Sequence, residues 1–425
     1  PTGRKWRTCR DTPAERRFLV CNADEGDPGA FMDRSVLEGN PHRVIEGMII
    51  GSLAIGAERG FVYVRQEYPL AVERLELAIE SARKYGLLGA DILGSGLSFD
   101  IEIKRGGGAF VCGEESALIA SIEGRRGVPR RRPPYPAVSG LFGMPTCINN
   151  VETWANVPII IERGAGWYSR IGTKGSKGTK IFSLVGKVHN TGLVEVPMGM
   201  TLRQIIFDIG GGIPGGRSFK AVQTGGPSGG CLPESKLDIP VDFDTLVAEG
   251  AMMGSGGMIV MDSSTCMVDV ARYFTGFLKF ESCGNCTSCR DGLWQMHRML
   301  ERLTEGTAPP DTLERIEQLA ETIRTTSLCA LGTTSVNPVL SSLRYFRREF
   351  EAHLAEKQCP AGVCKALITF RIDSDKCNGC TLCAKNCPQD AIRGRAKQLH
   401  AIEQEKCIKC GICRDVCNQD AVVVE

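Results

Sequence analysis

Long hydrophobic runs, an excess of charge and an export signal are all missing from this sequence. No apolar run approaches the ~18 residues that a membrane span needs, and the most apolar stretch, Met48 to Ala57, is interrupted by glycine and predicts a buried helix. The formal net charge is only +2, which gives no case for a nucleic-acid partner. The N-terminal PTGRKWRTC lacks the charged-then-apolar pattern of a secretory signal. We therefore expect a cytoplasmic protein without direct membrane insertion.

Cysteine, in contrast, is abundant. The chain of 425 residues has 20 cysteines, and most of them lie between Cys283 and Cys417 in closely spaced groups. Short, repeated spacings favour metal ligation over a disulfide framework. A cytoplasmic protein also keeps its thiols reduced. The cysteines therefore predict metal centres in the C-terminal part of the chain.

The length and the residue pattern indicate several domains. A chain of 425 residues exceeds the size of one hydrophobic core. Strand-like runs at 61–65 and 99–105 flank a helical pattern at 69–85, which predicts an α/β domain with a largely parallel sheet. The expected divisions are an α/β domain, a small α+β module, a helical domain, a linker and a cysteine-rich tail, at residues 1–171, 172–265, 266–356, 357–366 and 367–425, respectively.

The middle of the chain carries weaker patterns. Strand-like runs at 181–186 and 221–226 lie on either side of a single helical stretch, for which Thr201 is a suitable N-cap. Apolar residues at helical spacing follow, most clearly at 313–324. These patterns predict the small α+β module and the helical domain.

The tail contains two copies of one cysteine pattern. CNGCTLCAKNCP begins at Cys377 and CIKCGICRDVCN begins at Cys407, and each copy reads C-x2-C-x2-C-x3-C. This is the bacterial ferredoxin pattern, in which the fourth cysteine of each copy ligates the cluster of the other copy. Zinc knuckles are the alternative, but the eight cysteines in this doubled order exceed the four that one tetrahedral zinc requires. The pattern predicts two [4Fe–4S] clusters, one held by Cys377, Cys380, Cys383 and Cys417 and the other by Cys387, Cys407, Cys410 and Cys413.

Another cysteine group precedes the tail. In ESCGNCTSCRDG, Cys283, Cys286 and Cys289 are spaced C-x2-C-x2-C, which is three-quarters of a [4Fe–4S] ligand set. Because the ferredoxin-type cysteines are all assigned, the fourth ligand has to be distant in sequence. Cys329 is the best candidate, since it follows a helical stretch that could return to the site. We expect a third [4Fe–4S] cluster here, and a structural zinc is the alternative.

Four long motifs resemble one family. They are FLVCNADEGDPGAFMDR from Phe18, GGGAFVCGEESALIASIEG from Gly106, RRRPPYPAVSGLFGMPTCINNVETWANV from Arg130 and ESCGNCTSCRDG from Glu281. Together they resemble the flavin- and NADH-binding subunit of respiratory complex I, a module that also serves as the diaphorase subunit of NAD-linked hydrogenases and formate dehydrogenases. The resemblance covers essentially residues 1–350. The added ferredoxin-like tail is similar to that of the β subunit of soluble, electron-bifurcating [FeFe]-hydrogenases.

The resemblance implies FMN, NAD(H) and one [4Fe–4S] cluster in the body of the protein. It also implies a Rossmann-like FMN-binding α/β domain, a β-grasp-like module, a helical [4Fe–4S] domain and a C-terminal ferredoxin-like domain, in the order of the divisions above. The implied FMN contacts are Lys5, Asn22, Asp24, Gly113, Glu114, Asn149, Asn150 and Thr153. The implied contacts of the nicotinamide nucleotide are Lys5, Asp27, Glu115, Arg132 and Tyr135, of which Asp27 and Glu115 take the catalytic role.

The chemistry of electron transfer agrees with these cofactors. A hydride delivers two electrons at once and an iron–sulfur cluster accepts one, so a flavin has to stand between them. The paired carboxylates Glu114 and Glu115 are poor neighbours for phosphate, so we expect them to face the nicotinamide and ribose. Without the resemblance, this pair would be interpreted as a solvated acidic turn, and NADEGDPG as an ordinary Asp/Gly/Pro turn.

Three features differ from the family pattern. A glycine-rich flavin loop normally precedes PTG, and we expect it to precede Pro1 in the full protein. Asp27 stands where complex I proteins usually have glutamate, which shortens its reach toward the nicotinamide. Arg131 and Arg132 stand where an apolar residue and lysine are common, and their guanidinium groups could reach a 2′-phosphate, so NADP(H) is an alternative to NAD(H). A docking surface or a solvated basic face is the other interpretation of the arginines at 125, 126, 130 and 131.

The linker contains a possible ligand set of a different kind. Cys359 and Cys364 are spaced C-x4-C, and His353 precedes them. A neutral imidazole beside thiolates is a zinc-type ligand set, which Cys266 could complete. We expect a structural zinc that pins the tail to the body. Two linker thiols and a surface histidine are the alternative.

The combined interpretation is an NAD(P)H-dependent oxidoreductase subunit that passes electrons between NAD(H), FMN and [4Fe–4S] clusters. The expected partners are a [2Fe–2S] thioredoxin-like subunit, a catalytic hydrogenase-type iron–sulfur subunit and ferredoxin, in an electron-bifurcating hydrogenase. The diaphorase subunit of a formate dehydrogenase or another complex I-like dehydrogenase is the alternative. A non-flavin electron relay is a different class, and a flavin absorption spectrum would separate it.

Overall fold

A parallel sheet organises the N-terminal part of the chain. In the computed structural model, which describes residues 2–425, this part consists of α1 (Thr2–Asp11), β1 (Phe18–Ala23), α2 (Met32–Gly39), α3 (Pro41–Ile55), β2 (Arg59–Arg65), α4 (Pro69–Lys84), β3 (Asp100–Gly106), α5 (Glu115–Ile122), β4 (Thr146–Asn150), α6 (Val151–Arg163) and α7 (Ala165–Tyr168). The four strands are ordered β3-β2-β1-β4 and all neighbouring pairs are parallel. Helices bury the apolar strands, as a parallel sheet requires. The expected α/β domain with a parallel sheet is confirmed.

Helices α3 and α6 pack closely against each other beside this sheet. A Cβ atom on Gly47 would lie 2.1 Å from the carbonyl oxygen of Trp154, and one on Gly51 would lie 2.6 Å from the Trp154 ring. Trp154 is fully buried, so both glycines are needed for the two helices to approach. Asn22 of β1 is paired with Asn150 of β4, which places both asparagines at the carboxyl ends of the strands. Ligands of open α/β sheets bind at this edge.

The next unit, residues 172–265, is called the β-grasp-like module below. It contains β5 (Thr179–Gly186), β6 (Gly192–Pro197), β7 (Phe219–Thr224), β8 (Gly230–Pro233), α8 (Phe243–Ala248) and β9 (Gly257–Asp262). The five strands form a mixed sheet in the order β6-β5-β9-β7-β8, in which only β5 and β9 pair in parallel.

The module has one more helix than the sequence predicts. Thr201 does cap the predicted helix, because its hydroxyl accepts a hydrogen bond from the backbone N–H of Gln204 at 3.2 Å, and the following Gln204–Ile209 turn is π-helical. The second helix is α8, whose N-cap Asp242 accepts from the backbone N–H of Thr245 at 2.8 Å. The expectation of a single helix is therefore wrong, and the Asp242 cap is the sequence signal for the second one.

Helices dominate the chain from residue 267 to residue 351. They are α9 (Met267–Glu281), α10 (Thr287–Thr304), α11 (Thr312–Thr326), α12 (Ala330–Thr334) and α13 (Asn337–Glu351). Each of the long helices buries an apolar stripe in a shared core, as in α10, where Leu293, Met296 and Leu300 are fully buried. Cys286 and Cys329 lie directly before α10 and α12. Two helices therefore begin at the third cysteine group, which consists of Cys283, Cys286, Cys289 and Cys329.

The tail repeats one small structural unit. Its elements are β10 (Phe370–Ile372), α14 (Leu382–Lys385), β11 (Ile392–Arg393), β12 (Ala401–Ile402), α15 (Ile412–Asp415) and β13 (Val422–Val424). β10 pairs with β13 and β11 pairs with β12, both antiparallel. The two copies therefore close into one ferredoxin-like domain. Across residues 2–425, no helix combines the length and the apolarity that crossing a membrane requires.

Candidate flavin, nucleotide and iron–sulfur sites

A cleft of about 310 Å³ lies where the α/β domain, the β-grasp-like module and the helical domain meet. The α/β domain provides the ends of β1 and β4 and the 3₁₀ turn Phe110–Gly113. The other walls are the turns around Gly225 and Ser255 in the module and the helix α12. Of the residues expected to contact FMN or nucleotide, those that line the cleft are Asn22, Asp24, Asp27, Gly113, Glu114 and Asn150.

Four charged side chains form one group beside this cleft. The Lys5 ammonium donates to Glu115 Oε1 at 2.7 Å and to the carbonyl oxygen of Ile148 at 2.7 Å. The Arg132 guanidinium lies 3.6 Å from both Glu114 and Glu115. Glu114 also caps α5, since its Oε2 accepts from the backbone N–H groups of Ser116 and Ala117. The structure thus joins Lys5, Glu115 and Arg132, which the sequence places in three distant segments.

Asp24 is an unusual carboxylate in the floor of the cleft. It is only 8% exposed, and within residues 2–425 neither of its side-chain oxygens has a hydrogen-bond partner. Burial raises the pKa of Asp24 to about 7. Two buried acceptors without partners, on a residue that lines the cleft, fit a ligand that brings hydroxyl or amide donors, as the ribityl chain and ring of FMN do. The residues present therefore fit the expected flavin.

The two asparagines next to Asp24 are already oriented by the protein. Asn22 donates to the carbonyl oxygen of Gly113 at 2.9 Å. Asn150 donates to Asp33 Oδ2 at 2.6 Å, and its own oxygen caps α6 by accepting from Glu152. Burial raises the pKa of Asp33. Sequence reasoning missed Asp33, although it belongs to the first family motif, because nothing in the sequence shows that it supports Asn150.

The remaining expected contacts lie at the margin of the cleft or outside it. Asn149 is buried at the end of β4 and Thr153 is half-buried in the first turn of α6. Tyr135 is 58% exposed, in the loop that follows Arg132. Their assignment to FMN or nucleotide stays a prediction. Sequence reasoning also missed Ser255, whose hydroxyl donates to Asp27, because the two residues belong to different domains.

Cys329 joins the three cysteines of the ESCGNCTSC motif around one small cavity. Its lining includes Cys283, Cys286, Cys289 and Cys329. The backbone N–H of Leu328 donates to Cys286 Sγ at 3.4 Å, the kind of contact that stabilises a ligating thiolate. The Arg126 guanidinium donates to the carbonyl oxygen of Cys283 at 2.9 Å, so one of the arginines at 125–131 contacts this motif.

The eight cysteines of the tail divide into the two predicted groups. One cavity is lined by Cys377, Cys380, Cys383 and Cys417, and the other by Cys387, Cys407, Cys410 and Cys413. Each fourth cysteine is therefore placed with the other copy, as the ferredoxin pattern requires. The backbone N–H groups of Ala391 and Ala421 donate to Cys387 and Cys417 at 3.3 Å in both cases.

A fourth group of ligating side chains lies at the start of the linker. The ligand atoms of Cys266, His353, Cys359 and Cys364 all lie within 4.8 Å of one another, and all four residues are buried. His353 Nε2 is 3.4 Å from Cys266 Sγ and 3.3 Å from Cys364 Sγ, and the two sulfurs are 3.7 Å apart. Tetrahedral Zn–S bonds of ~2.3 Å give a sulfur–sulfur edge of roughly 3.8 Å. The alternative of a surface histidine is wrong, since His353 is buried.

Comparison with known proteins places these sites in one family. Residues 1–159 match the model of the Nuo51 FMN-binding domain, residues 269–353 match the NADH-ubiquinone oxidoreductase-F iron-sulfur binding region, and residues 370–424 match the 4Fe-4S dicluster domain. These matches cover the α/β domain with its cleft, the third cysteine group and the tail.

Individual relatives extend the match over nearly the whole chain. The NADP-reducing hydrogenase subunit HndC of Solidesulfovibrio fructosivorans is 56% identical over 400 residues, which are 94% of this chain and 81% of that protein. A subunit of the NADH-quinone oxidoreductase of Escherichia coli is 42% identical over 357 residues, covering 84% and 80% of the two chains.

A solved structure gives the same result. A chain of the NAD+-reducing [NiFe]-hydrogenase in the H2-reduced state superposes with a TM-score of 0.76 at 39% identity, covering 83% of this chain and 59% of that chain. Similarity of this extent, in sequence and in fold, shows common membership and not only a shared architecture. The chain therefore belongs to the family of FMN- and iron–sulfur-binding oxidoreductase subunits that is shared by NADH-quinone oxidoreductases and NAD(P)-reducing hydrogenases.

Proposed function

We propose that this chain oxidises or reduces a nicotinamide nucleotide in the cleft and exchanges single electrons with the Cys283 cluster site. One observation carries the proposal: Val111 and Leu331 line both the cleft and the four-cysteine cavity. The two sites therefore share a wall, so an electron has only a short distance to travel. FMN, when bound, supplies the exchange between two-electron hydride chemistry and one-electron transfer.

The charged group beside the cleft is suited to hold the nucleotide. Glu115 is oriented by Lys5 at 2.7 Å, and its other oxygen lies toward Arg132. A carboxylate held in this way accepts hydrogen bonds from ribose hydroxyls or the nicotinamide amide, while Arg132 offers donors to phosphate. Asp24, Asn22 and Asn150 would hold the flavin. The assignment to NAD(H) or NADP(H) depends on whether Arg131 and Arg132 meet a 2′-phosphate.

Replacement of Glu115 by glutamine tests this division of labour. In Glu115→Gln, FMN content should stay near the wild-type value, while the dissociation constant of the nucleotide should rise about tenfold, since a charge-assisted hydrogen bond is weakened. Anaerobic titration with NADH and with NADPH, followed by the flavin absorbance, measures both quantities. Glu80→Gln, on the exposed face of α4, is the control. Loss of FMN with unchanged nucleotide affinity would reverse the assignment.

We further propose that the protein works in a cytoplasmic, electron-bifurcating hydrogenase with three [4Fe–4S] clusters in this chain. The support is the grouping of the tail cysteines and the similarity to a subunit named NADP-reducing hydrogenase subunit HndC. The proposed partners are a [2Fe–2S] thioredoxin-like subunit, a catalytic hydrogenase-type iron–sulfur subunit and ferredoxin. Purification of the complex with its co-purifying subunits tests this, and a complex without a hydrogen-activating subunit would contradict it.

We also propose that Cys266, His353, Cys359 and Cys364 bind a structural zinc. The backbone carbonyl of Glu349 accepts from His353 Nδ1 at 2.7 Å, which fixes the ring with Nε2 toward the cysteines. A closed set of four ligands has no open position, so its role is mechanical.

Elemental analysis tests the zinc site. The wild-type protein should contain about one zinc per chain beside its iron. Cys359→Ser should lose the zinc and raise the protease sensitivity of the linker, whereas Cys231→Ser, which replaces a buried cysteine of the β-grasp-like module, should keep the zinc. A wild-type protein without zinc would refute the site.

A further inference from the structure

We propose that Ser255 of the β-grasp-like module is a positioning residue for the nicotinamide nucleotide, because it holds the carboxylate of Asp27 at the wall of the cleft. The proposal rests on the proposed function and extends it: the nucleotide site would be built from two domains and not from the α/β domain alone. Ser255 lies in the turn before β9, whereas Asp27 lies in the loop between β1 and α2. Both residues line the cleft.

The hydrogen bond between these residues joins the two domains. The Ser255 hydroxyl donates to Asp27 Oδ2. A second contact supports the same loop, since the Ser183 hydroxyl donates to the carbonyl oxygen of Gly29 at 2.5 Å. Asp27 lines the cleft, so its oriented carboxylate can accept from an amide or hydroxyl donor of a nucleotide.

The module is shaped to receive this carboxylate. A Cβ atom on Gly226 would lie 2.5 Å from Asp27 Cγ, so only glycine leaves room for Asp27. Gly226 and Gly254 both have positive φ, of 71° and 53°, and a Cβ atom on Gly254 would lie 2.6 Å from the carbonyl oxygen of Gly225. Buried Gln223 donates to the carbonyl oxygen of Gly226 at 2.9 Å. The two turns of the module therefore pack on each other and on Asp27.

The charge state of Asp27 depends on the same contact. Burial raises the pKa of Asp27 to about 6, the Ser255 hydrogen bond opposes this shift, Glu25 adds to it and Lys180 opposes it. Loss of the Ser255 hydroxyl removes one of the groups that favour the carboxylate. The side chain would then be both less oriented and more often protonated near neutral pH, and both changes weaken its hydrogen bond to a nucleotide donor.

Steady-state kinetics of the protein loaded with FMN and iron–sulfur clusters test this role. NADH or NADPH, whichever the wild type oxidises, is the substrate, and ferricyanide is the one-electron acceptor. In Ser255→Ala, the KM for the nucleotide should rise about tenfold, because a hydrogen bond to a charged group is lost. The kcat should change less than about twofold, and FMN and iron contents should match the wild type. Ser255→Thr keeps the hydroxyl and should restore the KM.

Two further variants separate positioning from a general structural effect. Ser264→Ala removes another serine–aspartate hydrogen bond of the module, 2.6 Å to Asp262, and should leave the KM unchanged. In an Asp27→Ala background, which leaves Ser255 no side-chain acceptor at this position, Ser255→Ala should cause no additional rise in KM, because Ser255 acts through Asp27.

Each of the remaining outcomes contradicts the proposal. An unchanged KM in Ser255→Ala shows that the contact does not matter for the nucleotide. Loss of FMN, or an equal rise in KM in the Asp27→Ala background, shows a structural role instead. A wild-type protein that oxidises neither nucleotide refutes the proposed function itself, and the Ser255 proposal with it.

Discussion

At the scale of single residues, the cleft is lined by aspartates whose ionised form is disfavoured by burial. Asp24, Asp27 and Asp33 all have pKa values raised by burial, to about 7 for Asp24 and about 6 for Asp27. Burial of these acids is unfavourable for folding, since it destabilises the ionised native state, and Glu25, which also lines the cleft, is buried with a raised pKa as well. Unfavourable burial of this kind is typical of functional sites. The raised pKa values of these three carboxylates, which line the cleft, agree with a binding site there.

Asp24 gives a prediction on the stability of the protein without FMN. Its pKa is raised from 3.8 to about 7, so the folded protein binds this proton more tightly than the unfolded chain does. The resulting contribution to the free energy of unfolding is complete below the unfolded pKa and is lost as the pH rises through about 7. Asp24→Asn removes this loss. The variant should therefore melt at a higher temperature than the wild type at about pH 8, and the difference should shrink toward about pH 5. Thermal unfolding of the FMN-free proteins measures it.

The exposed aspartate Asp208 provides the control for this comparison. Asp208→Asn should follow the wild type at both pH values, because an exposed carboxylate needs little desolvation. An Asp24→Asn variant with the wild-type pH dependence would show that Asp24 is not held in an unfavourable charged state.

At the scale of secondary-structure elements, α12 connects the third cysteine group to the cleft. Cys329 lies directly before this short helix, and Leu331 within it lines both cavities. The start of α12 thus places Cys329 beside the other three cysteines, and the helix itself forms part of the wall shared with the cleft. The sequence suggested Cys329 by elimination and by the helical stretch before it, because no local spacing connects it to the other three cysteines.

Removal of Cys329 should therefore affect one cluster only. Cys329→Ala should lower the iron content by about four atoms per chain, or convert the site to a three-iron form, while the two tail clusters persist. Iron analysis and EPR spectroscopy measure this. Cys21→Ala, which replaces a buried cysteine of β1, should retain all the iron. Wild-type iron content and EPR signals in Cys329→Ala would exclude Cys329 as a ligand.

Local patterns explain which elements could be predicted from the sequence. Helix α4 begins and ends within one residue of its predicted range because it repeats apolar residues at helical spacing and starts with Pro69. The grouping of the tail cysteines could be predicted from their spacing alone. The Ser255 contact with Asp27 could not be predicted, because it is set by the way two domains pack. No periodicity or motif in either segment predicts that packing.

At the scale of the whole molecule, the domains bring together a cleft and three groups of cysteines. The α/β domain and the β-grasp-like module enclose the cleft, the helical domain places its cysteines on the other side of a shared wall, and the tail carries two further cysteine groups. Buried Cys266 and His353 connect the body to the linker of the tail. This order predicts a path from nucleotide to flavin site to the Cys283 group, with the tail as a separate exchange point.

The central claim is that nucleotide chemistry and cluster reduction are coupled within this one chain. Rapid anaerobic mixing of the FMN- and cluster-loaded protein with NADH or NADPH, followed by freeze-quench EPR and flavin absorbance, tests it most directly. We predict that the flavin absorbance is bleached first and that the EPR signal of a reduced [4Fe–4S] cluster follows. The cluster assigned to the Cys283 group should be the first one reduced, so this first signal should be missing in Cys329→Ala. Bleached flavin with clusters that stay oxidised at all times would contradict the account.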